Sequence, residues 1–231
     1  MSKTILLIGG NSGIGLATAK LLKSYGINLI AASRSSDQLV ALGIPIQPFD
    51  AENPAEMELP DSLDGLIYFP GTINLKPFHR LTADDFRKDF QINCLGAAEA
   101  VRQALPALKN APSASIVFFS TVAVAQGMAF HASISASKAA VEGLTRSLAA
   151  EFAPRIRVNA IAPSLTDTPL AAPLLGNDEK KQLSANRHPL QAIGNPDDVA
   201  KLAAFLLSDS SSFITGQIHR PDGGLSSVRT F

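Results

Sequence analysis

The sequence has little of what marks secreted, metal-dependent or charge-driven proteins. It contains a single cysteine, Cys94, which excludes an internal disulfide framework and argues against a metal site built from thiolates. Lys and Arg together number 20, as do Asp and Glu, so no net field draws the chain to nucleic acid or to an anionic membrane. We therefore expect no metal, and a partner that is a small molecule or another copy of the chain.

Long hydrophobic runs are also missing. The first apolar run ends in glycine after five residues, and no window reaches the 18 apolar residues of a membrane span. We expect no signal peptide, no membrane segment and a cytoplasmic location. The length of 231 residues, with 46% hydrophobic and 17% charged, predicts a single compact domain over residues 1–231.

A glycine-rich segment follows the first apolar run. Thr4–Ile8 has the composition of a strand, and from Leu16 the apolar residues recur with helical spacing. Glycines between a strand and a helix let the backbone approach a pyrophosphate, which the helix N-terminus binds. The alternative for this G-x-x-x-G-x-G pattern is a plain tight turn. The predicted phosphate-binding residues are Gly9, Asn11, Ser12, Gly13, Ile14 and Gly15.

Strands and helices alternate along the chain, which predicts an α/β, single-domain, Rossmann-like fold: a doubly wound parallel sheet of about seven strands with helices on both faces. Strands are predicted near Thr4–Ile8, Asn28–Ser33, Ile44–Phe49, Asp64–Phe69, Ser115–Ser120, Arg155–Ala162 and Gln217–Arg220. Helices are predicted near Gly13–Tyr25, Asp37–Leu42, Thr82–Leu108, Ser133–Phe152 and Asp197–Ser208, with short ones between Ser164 and Asn195. Ligands bind beyond the carboxyl ends of such strands, so residues there are the functional candidates.

The second and third predicted strands end in residues suited to adenosine. Ser33 and Arg34 supply a hydroxyl and a guanidinium where an acidic side chain would favour an unphosphorylated ribose. We therefore expect NADP rather than NAD, the alternative being an arginine in an exposed turn. Asp50 either accepts a hydrogen bond from an adenine amino group or caps the next segment.

Several motifs, in order and over nearly the whole chain, are similar to those of the short-chain dehydrogenase/reductase family. They are the glycine loop at Gly9, Gly13 and Gly15, then Gln91-Ile92-Asn93-Cys94, Ser137-Lys138-Ala139-Ala140, Arg157–Pro163 and Ile214–Gly224. The resemblance implies an oxidoreductase that uses a nicotinamide cofactor and a small-molecule carbonyl or alcohol substrate. It places Asn93 at a helix kink and Lys138 on the active-site helix.

Two cofactor-binding segments depart from the family pattern. Tyr68-Phe69-Pro70-Gly71 stands where the family has Asn-Asn-Ala-Gly, so the wall beside the adenosine ribose is bulkier and only Gly71 is kept. The family's proline-glycine pair appears here as Pro163-Ser164. Thr168 falls at the position that hydrogen-bonds the nicotinamide amide. The resemblance thus adds Gly71, Pro163 and Thr168 to the expected cofactor contacts.

The largest departure concerns the proton donor. The family has Tyr-x-x-x-Lys on one helical face, where the lysine charge lowers the tyrosine pKa. Counting four residues back from Lys138 reaches Ile134, whose side chain cannot exchange a proton. The family's serine lies thirteen residues before the tyrosine, which gives Thr121, or Ser120 if the register slips by one. A threonine keeps the hydroxyl that polarises a carbonyl.

His131 is the expected substitute donor. It lies three residues before Ile134, in a loop predicted to face the cleft, and an imidazole can both give and take a proton at physiological pH. The alternative is an ordinary histidine at a helix start. The two tyrosines of the chain, Tyr25 and Tyr68, are placed in the first helix and beside the adenosine ribose, away from the reacting carbon.

Two functions follow. The first is an NADP-dependent oxidoreductase in which Lys138 holds the nicotinamide ribose and Thr121 binds the substrate oxygen, with the proton coming from His131 or from water ordered by Lys138 and Asn93. The second is a weakly active or inactive NADP(H)-binding sensor or scaffold, because Ile134 cannot act as an acid. The helices Thr82–Leu108 and Ser133–Phe152 carry apolar residues on several faces, which predicts a homodimer or homotetramer.

Overall fold

A computed structural model describes residues 3–229 of the chain. Seven parallel strands form one sheet in the order β3-β2-β1-β4-β5-β6-β7. The strands are β1 (Thr4–Ile8), β2 (Asn28–Ala32), β3 (Ile46–Gln47), β4 (Gly65–Tyr68), β5 (Ala114–Phe119), β6 (Ile156–Ile161) and β7 (Ile218–His219). The order reverses between β1 and β4, which is where ligands bind in doubly wound sheets. The predicted fold class is confirmed.

The helices cover both faces of this sheet. They are α1 (Gly13–Ser24), α2 (Asp37–Ala41), α3 (Ala83–Phe90), α4 (Gly96–Asn110), α5 (Ala123–Gln126), α6 (Ala132–Phe152), α7 (Asp178–Ala185) and α8 (Pro196–Leu207). Short 3₁₀ helices span Phe78–Arg80, Pro169–Leu174 and Asp209–Ser211, and a π-helical turn, Gln91–Leu95, joins α3 to α4. No helix in residues 3–229 is long and apolar enough to cross a membrane.

Two hydrophobic cores sandwich the sheet. On β1, Leu6 and Ile8 face the core beneath α4 and α6, whereas Ile5 and Leu7 face the core beneath α1 and α8. Successive side chains of a strand point to opposite faces, so a strand that is apolar throughout is buried on both sides. This burial explains why the central strands are unbroken apolar runs in the sequence. Their parallel pairing places their carboxyl ends at one edge of the sheet.

The structure corrects several predicted boundaries. The outer strands β3 and β7 are two residues long, because edge strands have a hydrogen-bonding neighbour on one side only. The long predicted helix from Thr82 begins with a capping box between Thr82 and Asp85 and is interrupted by the π turn. Helix α5 was not predicted. The segment over the cleft contains α7, capped by the Asn177 side chain.

Candidate active site

A cleft of about 1330 Å³ opens at the carboxyl ends of the strands. Every residue that the sequence assigns to the site lines this cleft except Asn93, which lies buried behind it. The cleft is the kind of site expected at the point where the strand order reverses. Among residues 3–229, no three His, Cys, Asp or Glu side chains cluster closely enough to hold a metal ion.

The glycine loop is shaped by backbone conformations that side chains would strain. Gly9, Gly10 and Gly13 have φ values of +81°, +96° and +52°, in the region that favours glycine. Gly15 is required for a different reason: a Cβ there would lie 2.5 Å from the Gly10 Cα. The close neighbour of Gly15 is therefore the glycine loop itself. Gly10 lines the cleft too and was missed, because the family spacing does not use it.

The N-terminus of α1 faces this loop without a side-chain cap. Ser12 occupies the N-cap position in an extended conformation, and its hydroxyl makes no capping hydrogen bond. The first N–H groups of α1 therefore remain open to a ligand, and the helix dipole favours an anion there. Together with the glycine cradle, this arrangement fits the diphosphate of a dinucleotide.

The adenosine end of the cleft is organised by Asn11. Its side-chain oxygen accepts hydrogen bonds from the backbone N–H groups of Gln38 (2.9 Å) and Leu39 (3.2 Å). Its amide donates to Asp37 at 2.6 Å, and this hydrogen bond holds the Asp37 pKa below its ordinary value. Asn11 thus ties the glycine loop to the segment after β2 rather than presenting its side chain to a ligand.

Arg34 is exposed, lines the cleft and forms no ion pair within the described residues. Ser33 lies beside it on the cleft wall. Asp50 accepts a hydrogen bond from the Glu52 N–H at 3.0 Å, so the capping role that we weighed is present. Its carboxylate still lines the cleft. An unpaired guanidinium beside a hydroxyl is suited to a phosphate monoester.

Lys138 is the cation at the centre of the site. It lies on α6, is 6% exposed, and its Nζ donates to the Phe119 carbonyl at the end of β5 (2.8 Å). Burial lowers the pKa of Lys138 to about 8, although the charges of Asp89 and Cys94 oppose the shift. The ammonium is therefore close to losing its proton at mildly alkaline pH.

Asn93 is aimed at Lys138 from the π turn. Its amide donates to the Thr72 hydroxyl (2.9 Å) and to the Asp89 carbonyl (2.7 Å). Its Oδ1 is buried without a hydrogen-bond partner in the structure. A Cβ on Gly71 would lie 3.2 Å from this oxygen and 3.3 Å from the Lys138 Nζ. Gly71 thus keeps open a small polar space between the two groups, large enough for a ligand hydroxyl or water to join them.

The two hydroxyls after β5 differ in their freedom to act. Ser120 is buried and donates to Glu142 Oε1 at 2.9 Å. Thr121 accepts a hydrogen bond from the Ala123 N–H at 3.3 Å, so its own proton is free to donate into the cleft. The geometry favours Thr121 over Ser120 as the group that would polarise a substrate oxygen.

Ile134 and His131 border the same part of the cleft. Ile134 is 5% exposed and lies one helical turn before Lys138. The His131 Nδ1 contacts the Ala129 carbonyl at 2.7 Å, so this nitrogen carries a hydrogen and Nε2 is the one left to exchange a proton with a ligand.

Tyr68 cannot serve as an acid. It is 2% exposed and donates its hydroxyl proton to the Ile92 carbonyl at 2.5 Å. Burial is the main cause of a pKa raised far above that of an ordinary tyrosine. Its role is to hold the π turn against β4.

Thr168 and Pro163 close the cleft near the glycine loop. Thr168 is the N-cap of the Pro169–Leu174 helix and accepts from the Ala171 N–H at 3.3 Å. A Cβ on Gly13 would lie 3.1 Å from the Thr168 Cβ. Residue 13 is therefore glycine for two reasons, its positive φ and its close contact with Thr168. The Pro163 carbonyl accepts from the Val122 N–H at 3.1 Å, which joins the loop after β6 to the loop that carries Thr121.

A buried pair that the sequence analysis missed also lines the cleft. His188 is 3% exposed, its Nδ1 lies 2.9 Å from the Ser184 carbonyl, and its Nε2 lies 2.9 Å from the Ser164 hydroxyl. Since Nδ1 must donate to the carbonyl, the Ser164 hydroxyl donates to Nε2 in the neutral ring. The pair fastens the segment after α7 to the loop after β6. Twenty-four residues separate the two side chains, and no local pattern links them.

We expect His188→Ala to lower the free energy of unfolding by about 1–3 kcal/mol, because Ser164 and Ser184 each lose a buried partner. Thermal denaturation measures the effect, which corresponds to roughly 2–4 °C per kcal/mol for a chain of this size. His79→Ala is the matched control, since His79 is exposed. Equal melting temperatures for the two variants would contradict a fastening role.

Comparisons with known proteins agree with this geometry. Residues 8–226 match the protein-family profile described as enoyl-(acyl carrier protein) reductase. Cis-4-hydroxycyclohexanecarboxylate dehydrogenase of Sinomonas cyclohexanicum is 35% identical over 245 residues, covering 98% of this chain and 97% of that protein. A short-chain type dehydrogenase/reductase from Mycobacterium ulcerans has a TM-score of 0.88 at 28% identity, over 99% of this chain and 92% of that one. The structure of ElxO with NADP bound has a TM-score of 0.88 at 25% identity, over 99% and 100% of the two chains.

Proposed function

The chain belongs to the short-chain dehydrogenase/reductase family of oxidoreductases, and we propose that it is an NADP-dependent member that moves a hydride between nicotinamide and a carbonyl or alcohol. The observation that carries the proposal is the single cleft in which the glycine cradle, the unpaired Arg34 and the buried Lys138 meet. The bound cofactor would supply the hydride. The chain would supply position, polarity and the exclusion of water.

Each group has a defined task in this proposal. The glycine loop and the α1 N-terminus would hold the diphosphate, and Lys138, with Asn93 Oδ1 beside it, would hold the nicotinamide ribose. Thr121 donates its free proton to the substrate oxygen and so favours the negative charge that develops there. Ile134 stands where the family has tyrosine, so the proton that completes the alcohol must come from elsewhere.

Arg34→Ala tests the choice of cofactor. We expect the variant to lose about tenfold or more in affinity for NADPH and little for NADH, because a charge-assisted contact to the 2′-phosphate is removed. Fluorescence titration with both cofactors measures the two dissociation constants. Lys88→Ala is the control, since Lys88 also lines the cleft but pairs with Glu52 (3.4 Å). A uniform loss of both cofactors in Arg34→Ala would contradict the assignment.

His131→Ala tests the source of the proton. If His131 Nε2 delivers it, we expect kcat for carbonyl reduction to fall by about 10²–10⁴-fold with NADPH affinity unchanged. The substrates to assay are cyclohexanone and 4-oxocyclohexanecarboxylate, the ketone that corresponds to the alcohol in the name of the Sinomonas relative. Unchanged turnover would rule out His131 as the proton donor and favour a water molecule ordered by Lys138 and Asn93.

A second candidate function is an NADP(H)-binding sensor or scaffold with little turnover. Ile134 favours this function, because the side chain one helical turn before Lys138 is apolar and only 5% exposed. The wild-type protein would then bind NADPH and reduce no carbonyl. The same titration and assay separate the two functions.

We further propose a homodimer or homotetramer formed through α3, α4 and α6. Phe90 and Leu95 are 39% and 45% exposed, and they lie at the junction of α3 and α4. Phe152, at the end of the predicted helix Ser133–Phe152, is buried in the core of the subunit, and Leu144 and Leu148 pack partly against that core. The exposed apolar area is therefore smaller than the sequence suggested. Light scattering across micromolar concentrations measures the assembly.

A further inference from the structure

Helix α7 turns one face towards the cleft. Lys180, Leu183, Ser184 and Arg187 line the cleft, and intervals of three, four and seven residues place side chains on one side of a helix. Arg187 lies in the turn that continues α7, since its N–H donates to the Ser184 carbonyl at 3.3 Å. The two cations therefore reach the cleft because of helix geometry and are not scattered surface charges.

These two cations have no acidic partner. Neither Lys180 nor Arg187 forms an ion pair with any residue in the described part of the chain. Lys181, which does not line the cleft, is paired with Asp167 at 3.0 Å. The acidic residues among the described cleft lining are Asp50 and Glu52, which follow β3 near the opposite edge of the sheet. The cleft lining contributed by α7 thus holds cations and no acid, because Asp178 and Glu179, in the first turn of the helix, do not line the cleft.

The surroundings of the two cations are apolar. Leucine side chains of this region line the cleft, namely Leu165, Leu170, Leu174 and Leu183. A ligand that buries them needs an apolar body. The chain around Arg187 is also held in place, because the next residue, His188, is fastened to Ser164 and Ser184. A guanidinium on an anchored backbone loses less freedom when it binds a ligand.

We propose that α7 recognises an anionic group on the substrate, so that the substrate is a carbonyl or alcohol compound with an apolar skeleton and a carboxylate or phosphate. Arg187 would hold the oxyanion with its planar fork, and Lys180 would add a point charge on the same face, about two helical turns away. The assignment rests on the proposed function for the reaction and goes beyond it in naming the substrate class. The competing role for the two cations is binding of the cofactor diphosphate.

Calorimetric titration with three small probes tests the assignment. Cyclohexanecarboxylate, cyclohexyl phosphate and the neutral cyclohexanecarboxamide are titrated into the protein with and without NADP. We expect at least one anion to bind roughly tenfold or more tightly than the amide, since a charge-assisted contact is worth about that much. Added salt should reduce the preference, because the cations are exposed. The tighter of the two anions identifies carboxylate or phosphate as the group recognised.

Matched variants locate the effect. The double variant Lys180→Gln/Arg187→Gln should bind the anion and the amide within about twofold of each other. Lys181→Gln should keep the preference, because Lys181 does not line the cleft and is paired with Asp167. Equal binding of all three probes by the wild-type protein, or binding of none, overturns the assignment. A double variant that keeps the preference while losing NADP affinity also overturns the assignment, because it would show that the two cations bind the cofactor. A wild-type protein that ignores NADP would instead overturn the proposed reaction, and the cofactor-free titrations would still decide the role of α7.

Discussion

Ile134→Tyr should raise kcat for carbonyl reduction by about 10²–10⁴-fold, the range that a positioned general acid contributes. Residue 134 lines the cleft and lies one helical turn before Lys138, so a phenol placed there meets the ammonium. The positive charge favours the phenolate and brings the tyrosine pKa towards neutral pH. Thr121, across the same cleft, would hold the substrate oxygen within reach of both groups.

The rate of NADPH oxidation with 4-oxocyclohexanecarboxylate measures this gain. Ile134→Phe is the control, because it adds the same ring without the hydroxyl. Equal rates for the two variants would show that bulk, not acidity, limits turnover. Turnover by the tyrosine variant alone, with none in the wild-type protein, would support the sensor or scaffold function.

Lys138→Met should have the second large effect, a fall in kcat/KM of about 10²–10⁴-fold for any substrate that the wild-type protein reduces. Methionine is unbranched like lysine and fills most of the same buried space without the ammonium, so the loss reports the charge and its hydrogen bonds. The Phe119 carbonyl also loses its donor. Circular dichroism and thermal melting check that the variant folds, and an active, folded variant would contradict the role given to Lys138.

The same lysine predicts how cofactor binding and stability depend on pH. Its pKa of about 8, against an ordinary 10.5, means that the ammonium is lost as the pH rises through about 8, so NADPH affinity should fall there. Between pH 8 and 10.5 the unfolded chain binds more protons at this site than the folded chain. Stability should therefore rise with pH in that window. Neither trend should appear in Lys138→Met, and a wild-type protein without them would contradict the lowered pKa.

The sequence predicted the parts of the site that adjacent residues determine. The glycine spacing located the loop between β1 and α1, and the order of strands and helices was enough for the doubly wound sheet. The position of Lys138 on α6 and of Thr121 after β5 followed from motif counts. The loop follows from a pattern of neighbouring residues, whereas Lys138 and Thr121 were placed by their resemblance to the family's motifs.

What could not be predicted depends on contacts between distant segments. The Ser164–His188 pair joins residues 24 positions apart, and Asn11 is occupied by Gln38 and Leu39 of a neighbouring segment. Gly10 has a φ of +96°, which favours glycine, and Gly15 is needed because it packs against Gly10; only the folded loop shows either requirement. The burial of Phe152 likewise depends on how α6 rotates against the sheet, and the amphipathic pattern did not fix that rotation.

The π turn at Gln91–Leu95 has a consequence for how one long helical segment serves two surfaces. Each residue of an α-helix advances the side-chain direction by about 100°. One extra residue in a turn therefore changes which face of the helix each later side chain occupies. Helix α3 then packs against α6, whereas α4 packs on strands β4 and β5 of the sheet. A single-residue deletion in this turn would restore a regular helix and swing the Asn93 carboxamide out of alignment with its lysine.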